Sequence, residues 1–462
     1  MKFFFSKYTH ILTILLTALT IILIPLERTD SQEVIQLPDK FIKLDNESKN
    51  LQEKISIVKK QFEKEYDGTL FWIGYQFELC EDKEIYYDEI DIHEDGGITI
   101  SKGGKGWLHL REDDDLKLHI LQALSELGDE KAKEEFEKRM EEFFDYKDIS
   151  LGLFFLIDSN NRRINKIKLF NLLRIKNLNN YPIFWFGKVD NNDSFNFLTS
   201  IVEDDSYPKR VKKPAVFVIS LHEHPQVISF LTKIAQGDQS FEIRKSSVFW
   251  LGQIPEEESF NALVQIFDKE RNGAMREKIV FALSQHKSDK VAKQLDKIAQ
   301  NDRDFEVREK AIFWLGQKDS EETLDILKNI IESTKSTRLK EKVVFSISQH
   351  ENKNAAPILI DVAKNNKNRA VREKAIFWLG QMAGRKTLKA LSDIVENDEV
   401  TEVKTKAVFA ISQHEDKELA AEMLIEIAKK NPNPEVRKKA IFWLSQIGDE
   451  RVVDFFREIL TN

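Results

Sequence analysis

Apolar residues follow two nested periods along most of the chain. The shorter period is helical. Val307, Ala311, Trp314 and Leu315 stand at i, i+4, i+7 and i+8, which is one face of a helix. The longer period is a repeat. Val248-Phe-Trp-Leu-Gly-Gln253 returns as Val280-Phe-Ala-Leu-Ser-Gln285, Ile312-Phe-Trp-Leu-Gly-Gln317 and Val344-Phe-Ser-Ile-Ser-Gln349. It returns again as Ile376-Phe-Trp-Leu-Gly-Gln381, Val408-Phe-Ala-Ile-Ser-Gln413 and Ile441-Phe-Trp-Leu-Ser-Gln446. The motif phenylalanines fall at 217, 249, 281, 313, 345, 377, 409 and 442, spaced 32 residues six times and then 33. Weaker copies stand at Ile183-Phe-Trp-Phe-Gly187, Leu153-Phe-Phe-Leu156 and Leu121-Gln-Ala-Leu-Ser125. They extend the array to about eleven units over residues 116–462.

Each unit is predicted to hold two helices. The first carries the motif, with Val307, Ala311, Trp314 and Leu315 as its core face and Gly316 or a Ser helping to end it. The second spans 321–331, with Leu324, Leu327 and Ile331 facing inward. Asn301-Asp302, Asn397-Asp398 and the stretch from Asn431 to Pro434 break the chain between units and offer N-caps. A two-helix unit cannot bury its apolar stripe alone, so such units stack.

The pattern changes toward the N-terminus. Leu51, Ile55, Val58 and Phe62 form one helical stripe. Residues 66–115 read instead as short aromatic and branched strands separated by Asp95-Gly-Gly97 and Gly103-Gly104, a small β-rich module capping the array. The glycines there do not make a phosphate loop, because Gly104-Lys105 is followed by Gly106 and Thr99 stands where the first glycine belongs. Residues 1–29 read as a signal peptide or membrane anchor, and 30–65 as a linker and helix. Lys2 and Lys7 precede an uncharged run from 11 to 26, about 24 Å of helix, with no small-residue cleavage site after it. The positive flank lies before the run, so the body is expected outside the cytoplasm, anchored in the membrane or released to the periplasm.

Composition narrows the function. Hydrophobic residues are 41% and charged residues 32% of 462, which excludes a disordered chain. The net charge of −8 is concentrated between residues 30 and 115, where 22 acids face 11 bases. The nearly neutral remainder lacks the basic surface that nucleic acid requires. Cys80 is the single cysteine, which excludes an internal disulfide and a thiolate metal cage.

The pattern Val-Arg-x-x-Ala-x-x-x-Leu-Gly, ending Gln446-Ile-Gly-Asp449 in the last unit, resembles the HEAT-like repeats of phycobilisome lyases. The resemblance covers about three quarters of the chain and implies an all-α, right-handed solenoid. It does not imply lyase activity, since such repeats serve many roles. Phe and Trp stand where small or polar residues are usual, a version similar to bacterial exported repeat proteins of unassigned function.

Four rows recur across the units. The Phe row comprises Phe249, Phe281, Phe313, Phe345, Phe377 and Phe409. On a helical wheel Phe313 falls 240° from Val307, nearly opposite the core, so the row is either packed between units or an exposed partner-binding stripe. A second-order period of 64 residues places Trp250, Trp314 and Trp378 in alternate units, and His222, His286, His350 and His414 in the others. Helices pack 8–10 Å apart, so histidines two units apart cannot share a metal; they are expected to meet helix C-terminal carbonyls or solvent. His350-Glu351 and His414-Glu415 are similar to the iron-binding pairs of the HEAT-like deoxyhypusine hydroxylases. Those pairs lie near the start of the repeat helix, where this chain reads Arg308-Glu-Lys310, so no metal residues carry over. The Gln row, Gln253 to Gln446, is expected to tie each helix end to the next unit's loop. The Arg row (Arg244, Arg276, Arg308, Arg372, Arg437) is expected to bond carbonyls and acidic turns.

The resulting expectation is a non-catalytic, extracytoplasmic scaffold that binds a protein partner, meets the membrane through its N-terminal segment, and uses no cofactor, metal or nucleic acid. The rivals are a metal-dependent enzyme on the same scaffold, which needs a clustered site, and an envelope-lipid binder using the Phe row.

Overall fold

The computed structural model describes residues 41–43, 50–66, 68–78, 89–92, 98–101, 151–171 and 181–461, with breaks at 238, 319, 351–353 and 383. The uncharged run 11–26 and the weak motif copy at 121–125 lie outside the described residues. Among the described residues no helix is long and apolar enough to cross a membrane. The chain divides into two compact units, Met1–Phe230 and Leu231–Asn462.

The first unit is built on a seven-stranded sheet of β1 (Phe41–Lys43), β2 (Leu70–Gln76), β3 (Glu89–Ile92), β4 (Ile98–Ser101), β5 (Leu151–Asp158), β6 (Arg163–Asn171) and β7 (Ile183–Lys188). The spatial order is β1-β7-β2-β5-β6-β3-β4. β7 runs parallel to both β1 and β2, and the other pairs are antiparallel. The central strands are apolar on both faces, as expected of strands covered on two sides. Phe71, Ile73 and Tyr75 are buried on one face of β2 and Trp72 on the other. Helix α1 (Leu51–Glu65) presents the predicted stripe of Leu51, Ile55, Val58 and Phe62, all buried, and Phe62 packs 4.4 Å from Phe71 between ring centroids. On the opposite face Trp72, Phe154 and Ile183 form a cluster with Leu156, Tyr181 and Trp185. Gly74 is required there, because a Cβ would meet the Phe154 ring at 2.6 Å.

Two expected repeat units are therefore strands. Leu153-Phe-Phe-Leu156 lies in β5 and Ile183-Phe-Trp-Phe-Gly187 in β7. Neither is preceded by the Val-Arg-x-x-Ala helix start, and branched and aromatic residues without it suit a pleated surface. Among the described residues the helical array begins at residue 191, and the sheet includes strands between 151 and 188, beyond residue 115.

From residue 191 the chain is helical. α2 (Asn191–Glu203), α3 (Lys209–Leu221) and the start of α4 (Val227–Gln236) complete the first unit. The sheet docks directly on this first helix pair: Tyr75 Oη lies 3.0 Å from Ser194 Oγ, and Phe77 stacks on His222 at 4.2 Å. The second unit continues with α5 (Phe241–Gln253), α6 (Glu257–Lys269), α7 (Gly273–Gln285), α8 (Val291–Asn301), α9 (Phe305–Gly316), α10 (Glu321–Ser333) and α11 (Thr337–Ser348). It ends with α12 (Ala355–Asn365), α13 (Arg369–Gln381), α14 (Arg385–Asn397), α15 (Thr401–Gln413), α16 (Lys417–Lys430), α17 (Pro434–Leu444) and α18 (Glu450–Thr461). Among the described residues eight helix pairs and a final helix stand, where about eleven units were expected over 116–462. Within the second unit the motif helices α5, α7, α9, α11, α13, α15 and α17 pack on one another in order, and the other helices form a second layer. From α7 onward each motif helix contacts the second-layer helix before it more closely than the one after it, so the structural hairpin starts half a repeat earlier than the sequence motif suggests.

The predicted breaker at 431–434 supplies a cap, Asn433, whereas those at 301–302 and 397–398 hold turns. Asp302 and Asp398 accept from the backbone N–H two residues on, while Asp304, Asn368 and Asn433 cap the next helices. The same Asp302 and Asp398 pair with Arg276 and Arg372 of the preceding motif helix, in a largely buried setting. Arg244, Arg276, Arg308, Arg372 and Arg437 each donate to a backbone carbonyl at the end of the helix before their own, at Ala235, Phe267, Ala299, Asn366 and Asn431. The Arg row is structural, as expected.

Candidate functional site: the outward face of the motif helices

In α9 the buried residues are Val307, Ala311, Ile312, Leu315 and Gly316. On the wheel they fill the arc from 0° to 180°, so the core includes Ile312 and Trp314 moves to its edge. Trp314, expected in the core, is only half-buried. The reason is the layered array: a motif helix is covered by its hairpin partner and by two motif neighbours, and the indole fills the seam between neighbours. Phe313 sits near the middle of the remaining outward arc.

This arrangement repeats as an aromatic ladder. Phe281 lies 5.2 Å from Trp314, Phe345 5.3 Å from Trp378, and Phe409 4.8 Å from Trp443. In each case a Phe leans on the indole of the next motif helix. The Phe of each Trp-bearing helix meets its own indole edge-on, as at Phe313–Trp314, Phe377–Trp378 and Phe442–Trp443. Phe249 stacks on Phe281 at 6.2 Å. The row is thus neither wholly packed nor wholly free. Phe249, Phe281, Phe313, Phe345 and Phe409 are half-buried, Phe377 is 40% exposed and Phe442 52%.

The 64-residue period has a packing cause. A Cβ on Gly252, Gly316 or Gly380 would meet the backbone and Cβ of Ala282, Ser346 or Ala410 at 3.0 Å or less. Glycine on one helix therefore lets the next approach closely, and the next helix must carry a small residue where its neighbour has Trp. Ser346 Oγ crosses this narrow seam to the Ile312 carbonyl at 3.0 Å. Wide seams, filled by indoles, alternate with narrow ones.

The four row histidines stand at the C-terminal ends of alternate motif helices, and all four are buried. His222 Nε2 lies 2.7 Å from Ser194 Oγ, and its Nδ1 2.8 Å from the Val218 carbonyl. His350 Nε2 meets Thr323 Oγ1 at 3.2 Å, and His414 Nε2 meets Thr387 Oγ1 at 3.5 Å. Nδ1 of His286 and of His414 accepts from the N–H of Ser288 and Asp416. The rings of His222, His350 and His414 each join the end of a motif helix to the start of its hairpin partner. Burial holds the His286 and His414 imidazoles below their ordinary pKa. The hydroxyl partners went unread in the sequence, although Ser194, Thr323 and Thr387 recur in step with the histidines. Among the described residues no three His, Cys, Asp or Glu side chains gather as a metal site.

The glutamines depart from expectation. Gln285, Gln349, Gln413 and Gln446 donate through Nε2 to the hydroxyl of the preceding serine at 3.1 Å, not to the next unit's loop. From Gln317 onward the row is exposed. It lies at 280° on the wheel, beside the phenylalanines. From Phe281 onward a lysine three residues before the Phe completes the face: Lys278, Lys310, Lys342, Lys374, Lys406 and Lys439. Lys374 Nζ lies 5.7 Å from the Phe377 ring centre and Lys439 Nζ 5.8 Å from that of Phe442.

The family described as HEAT repeats matches residues 227–316, 292–380, 325–412 and 388–462, just over half of the chain. Solved structures with a similar arrangement include human deoxyhypusine hydroxylase in complex with glycerol, at 16% identity, covering 58% of this chain and 97% of that one, with a TM-score of 0.25. YibA of Escherichia coli matches at 20% identity over 56% of this chain and 93% of its own, with a TM-score of 0.30. The CpcE–CpcF complex of phycocyanin lyase from Nostoc sp. PCC7120 matches at 16% identity over 51% and 96%, with a TM-score of 0.26. No curated protein sequence matches significantly.

Proposed function

The chain belongs to the HEAT-repeat family, and from that premise we propose that it is a non-catalytic scaffold that binds a protein partner on the outward face of its motif helices. The observation that carries this reading is the aromatic ladder, where Phe377 and Phe442 leave 40% and 52% of their surface open on a face also lined by lysine and glutamine. Contiguous exposed apolar surface rimmed by polar groups marks a contact site. The buried histidines support a structural role, since their ring nitrogens bond hydroxyls, carbonyls and backbone N–H groups of their own hairpins. An extracytoplasmic position is part of the proposal. It is supported by the uncharged run 11–26 behind Lys2 and Lys7, and is tested by a reporter active only outside the cytoplasm fused after Asp30.

The test of the binding face is photocrosslinking in cells. A photoreactive phenylalanine replaces Phe377 or Phe442, and for comparison Lys328, which is exposed on α10 in the other layer. Discrete adducts from the first two positions and none from the third are expected. Equal labelling from all three positions, or none, would sink the assignment.

A further inference from the structure

We infer that the partner is an acidic segment in polyproline II conformation, lying across α13, α15 and α17 with one turn of three residues per motif helix. This rests on reading that face as the docking surface and names what it takes. Three parallel rows are present. Phe377, Phe409 and Phe442 form the apolar row, Lys374, Lys406 and Lys439 flank it, and Gln381, Gln413 and Gln446 follow. All three glutamines, Lys406 and Lys439 are exposed.

Charge selects the sign of the ligand. Earlier motif helices carry a glutamate four residues before the Phe, at Glu277, Glu309, Glu341 and Glu373. Glu309 meets Arg338 and Lys342, and Glu373 meets Arg369, so that part of the face is internally neutralised. In α15 and α17 the same position is Thr405 and Lys438. Glu402, at the start of α15, is turned to Arg369. In α17, whose Phe442 is the most open, Lys438 and Lys439 outnumber Glu435, so the face is net cationic there.

Period selects the conformation. Packed helices lie about 8–10 Å apart. A polyproline II turn advances about 9.3 Å and returns every third side chain to one face. Each turn can therefore set one side chain against each Phe. An extended β-strand returns to one face about every 6.7 Å and falls out of step within two helices. Polyproline II also leaves its carbonyls without internal hydrogen bonds. Gln413 and Gln446 are suited to them: each amide is held by one bond to a serine hydroxyl, and an amide carries a second donor hydrogen.

The experiment is fluorescence anisotropy with the full chain and three labelled peptides of about fifteen residues, long enough at ~3.1 Å per residue to cross all three helices. The peptides repeat Pro-Pro-Glu, Pro-Pro-Lys or Gly-Ser-Glu. The Pro-Pro-Glu peptide is expected to bind at least about tenfold more tightly than either of the others. Phe377→Ser with Phe442→Ser, and separately Gln413→Ala with Gln446→Ala, are expected to weaken it about tenfold. Lys406→Glu with Lys439→Glu is expected to shift preference to Pro-Pro-Lys. Circular dichroism melts confirm that each variant is folded. Because the glutamine and lysine changes lie on exposed side chains, they keep the test open if the Phe pair unfolds. Equal binding of Gly-Ser-Glu overturns the conformation, and equal binding of Pro-Pro-Lys overturns the charge. Binding of anionic phospholipid vesicles without peptide binding assigns the face to a lipid surface and overturns the inference. If no peptide binds while photocrosslinks still form at Phe442, the inference falls and the docking face stands; if the crosslinks are also missing, both fall.

Discussion

Replacing Gly380 with alanine tests the narrow seam that explains the doubled repeat. At an open site inside a helix this change stabilises by about 0.5–1 kcal/mol, because alanine loses less backbone entropy. Here the new Cβ would stand 2.8 Å from the Cα, Cβ and carbonyl oxygen of Ala410. None of those atoms can rotate away. Comfortable carbon contacts lie near 3.5–4.0 Å, so α15 must retreat by about 0.7–1 Å along the seam. Retreat loosens the buried contacts of Ile376 and Ile411, both fully buried. Overpacking of this kind costs about 1–3 kcal/mol, which leaves a net loss of roughly 0.5–2 kcal/mol after the helix gain. The assay is urea unfolding of the full chain followed by tryptophan fluorescence. The double variant Gly380→Ala with Ala410→Gly removes one of the three close contacts and leaves the Cα and carbonyl oxygen of residue 410 in place, so it should recover only part of the loss. Ser445→Ala is the control, because Ser445 holds the equivalent position in α17, where it is exposed. A Gly380→Ala chain as stable as the parent, or more stable, would refute the narrow seam.

Acidification supplies a second test. Burial lowers the pKa of His286 and His414, so the unfolded chain binds more protons than the folded one. Their contribution is complete above the ordinary pKa of about 6.5 and is lost as pH falls below it, so the melting temperature should drop between pH 7 and 5. The drop should shrink in the His286→Gln, His414→Gln chain, and an unchanged slope would contradict the assignment. Ser194→Ala removes the hydroxyl shared by Tyr75 and His222, and should cost about 1–3 kcal/mol by leaving buried polar atoms without it. Hydrogen exchange of β2 and α2 should rise together, whereas a change confined to α2 would mean that the sheet does not depend on this node. Trp314→Ala should cost about 2 kcal/mol, less than the ~3–5 of a fully buried aromatic, because the indole is half-buried against Phe281 and Phe313. A loss above about 4 kcal/mol in denaturant unfolding would return Trp314 to the core.

The helical array was legible because its signal is local and repeated. The Val-Phe-Trp-Leu-Gly-Gln segments mark the motif helices, and the wheel places Phe313 outward as found. The wheel erred on Trp314 because it assumed one buried face. A motif helix in a layered array has three, and Ile312 serves one of them. The strands from 151 to 188 were hidden by the same composition that revealed the repeat. Ile183-Phe-Trp-Phe-Gly187 resembles the motif, and only the missing helix start argues otherwise. The pairing of β7 with β1 and β2 joins residues more than 100 positions apart, and no local pattern encodes it. The hydroxyl partners escaped for a related reason: Thr323 and Thr387 lie 27 residues before their histidines, and a threonine in the first turn of a helix looks like an ordinary capping residue.

The alternation of seams also decides which phenylalanines face outward most. In α11 and α15 the third motif position is small, Ser346 or Ala410, so Phe345 and Phe409 can lie down over the indole of the following helix. In α13 and α17 that position is tryptophan, and its ring already occupies the seam. Phe377 and Phe442 then meet their own indole edge-on, with Lys374 and Lys439 beside them, and remain the two most exposed members of the row. Packing thus requires the tryptophans, while nothing in the packing requires an aromatic ring at 377 or 442. A smaller residue at either position would leave the seam filled and forfeit only the part of the ring that folding buries, so it should cost less stability than loss of Phe345 or Phe409. Under the proposed docking role the rings at both positions serve the ligand, and a Phe377→Ser, Phe442→Ser chain that unfolds as readily as one lacking Phe345 and Phe409 would show this division of labour to be wrong.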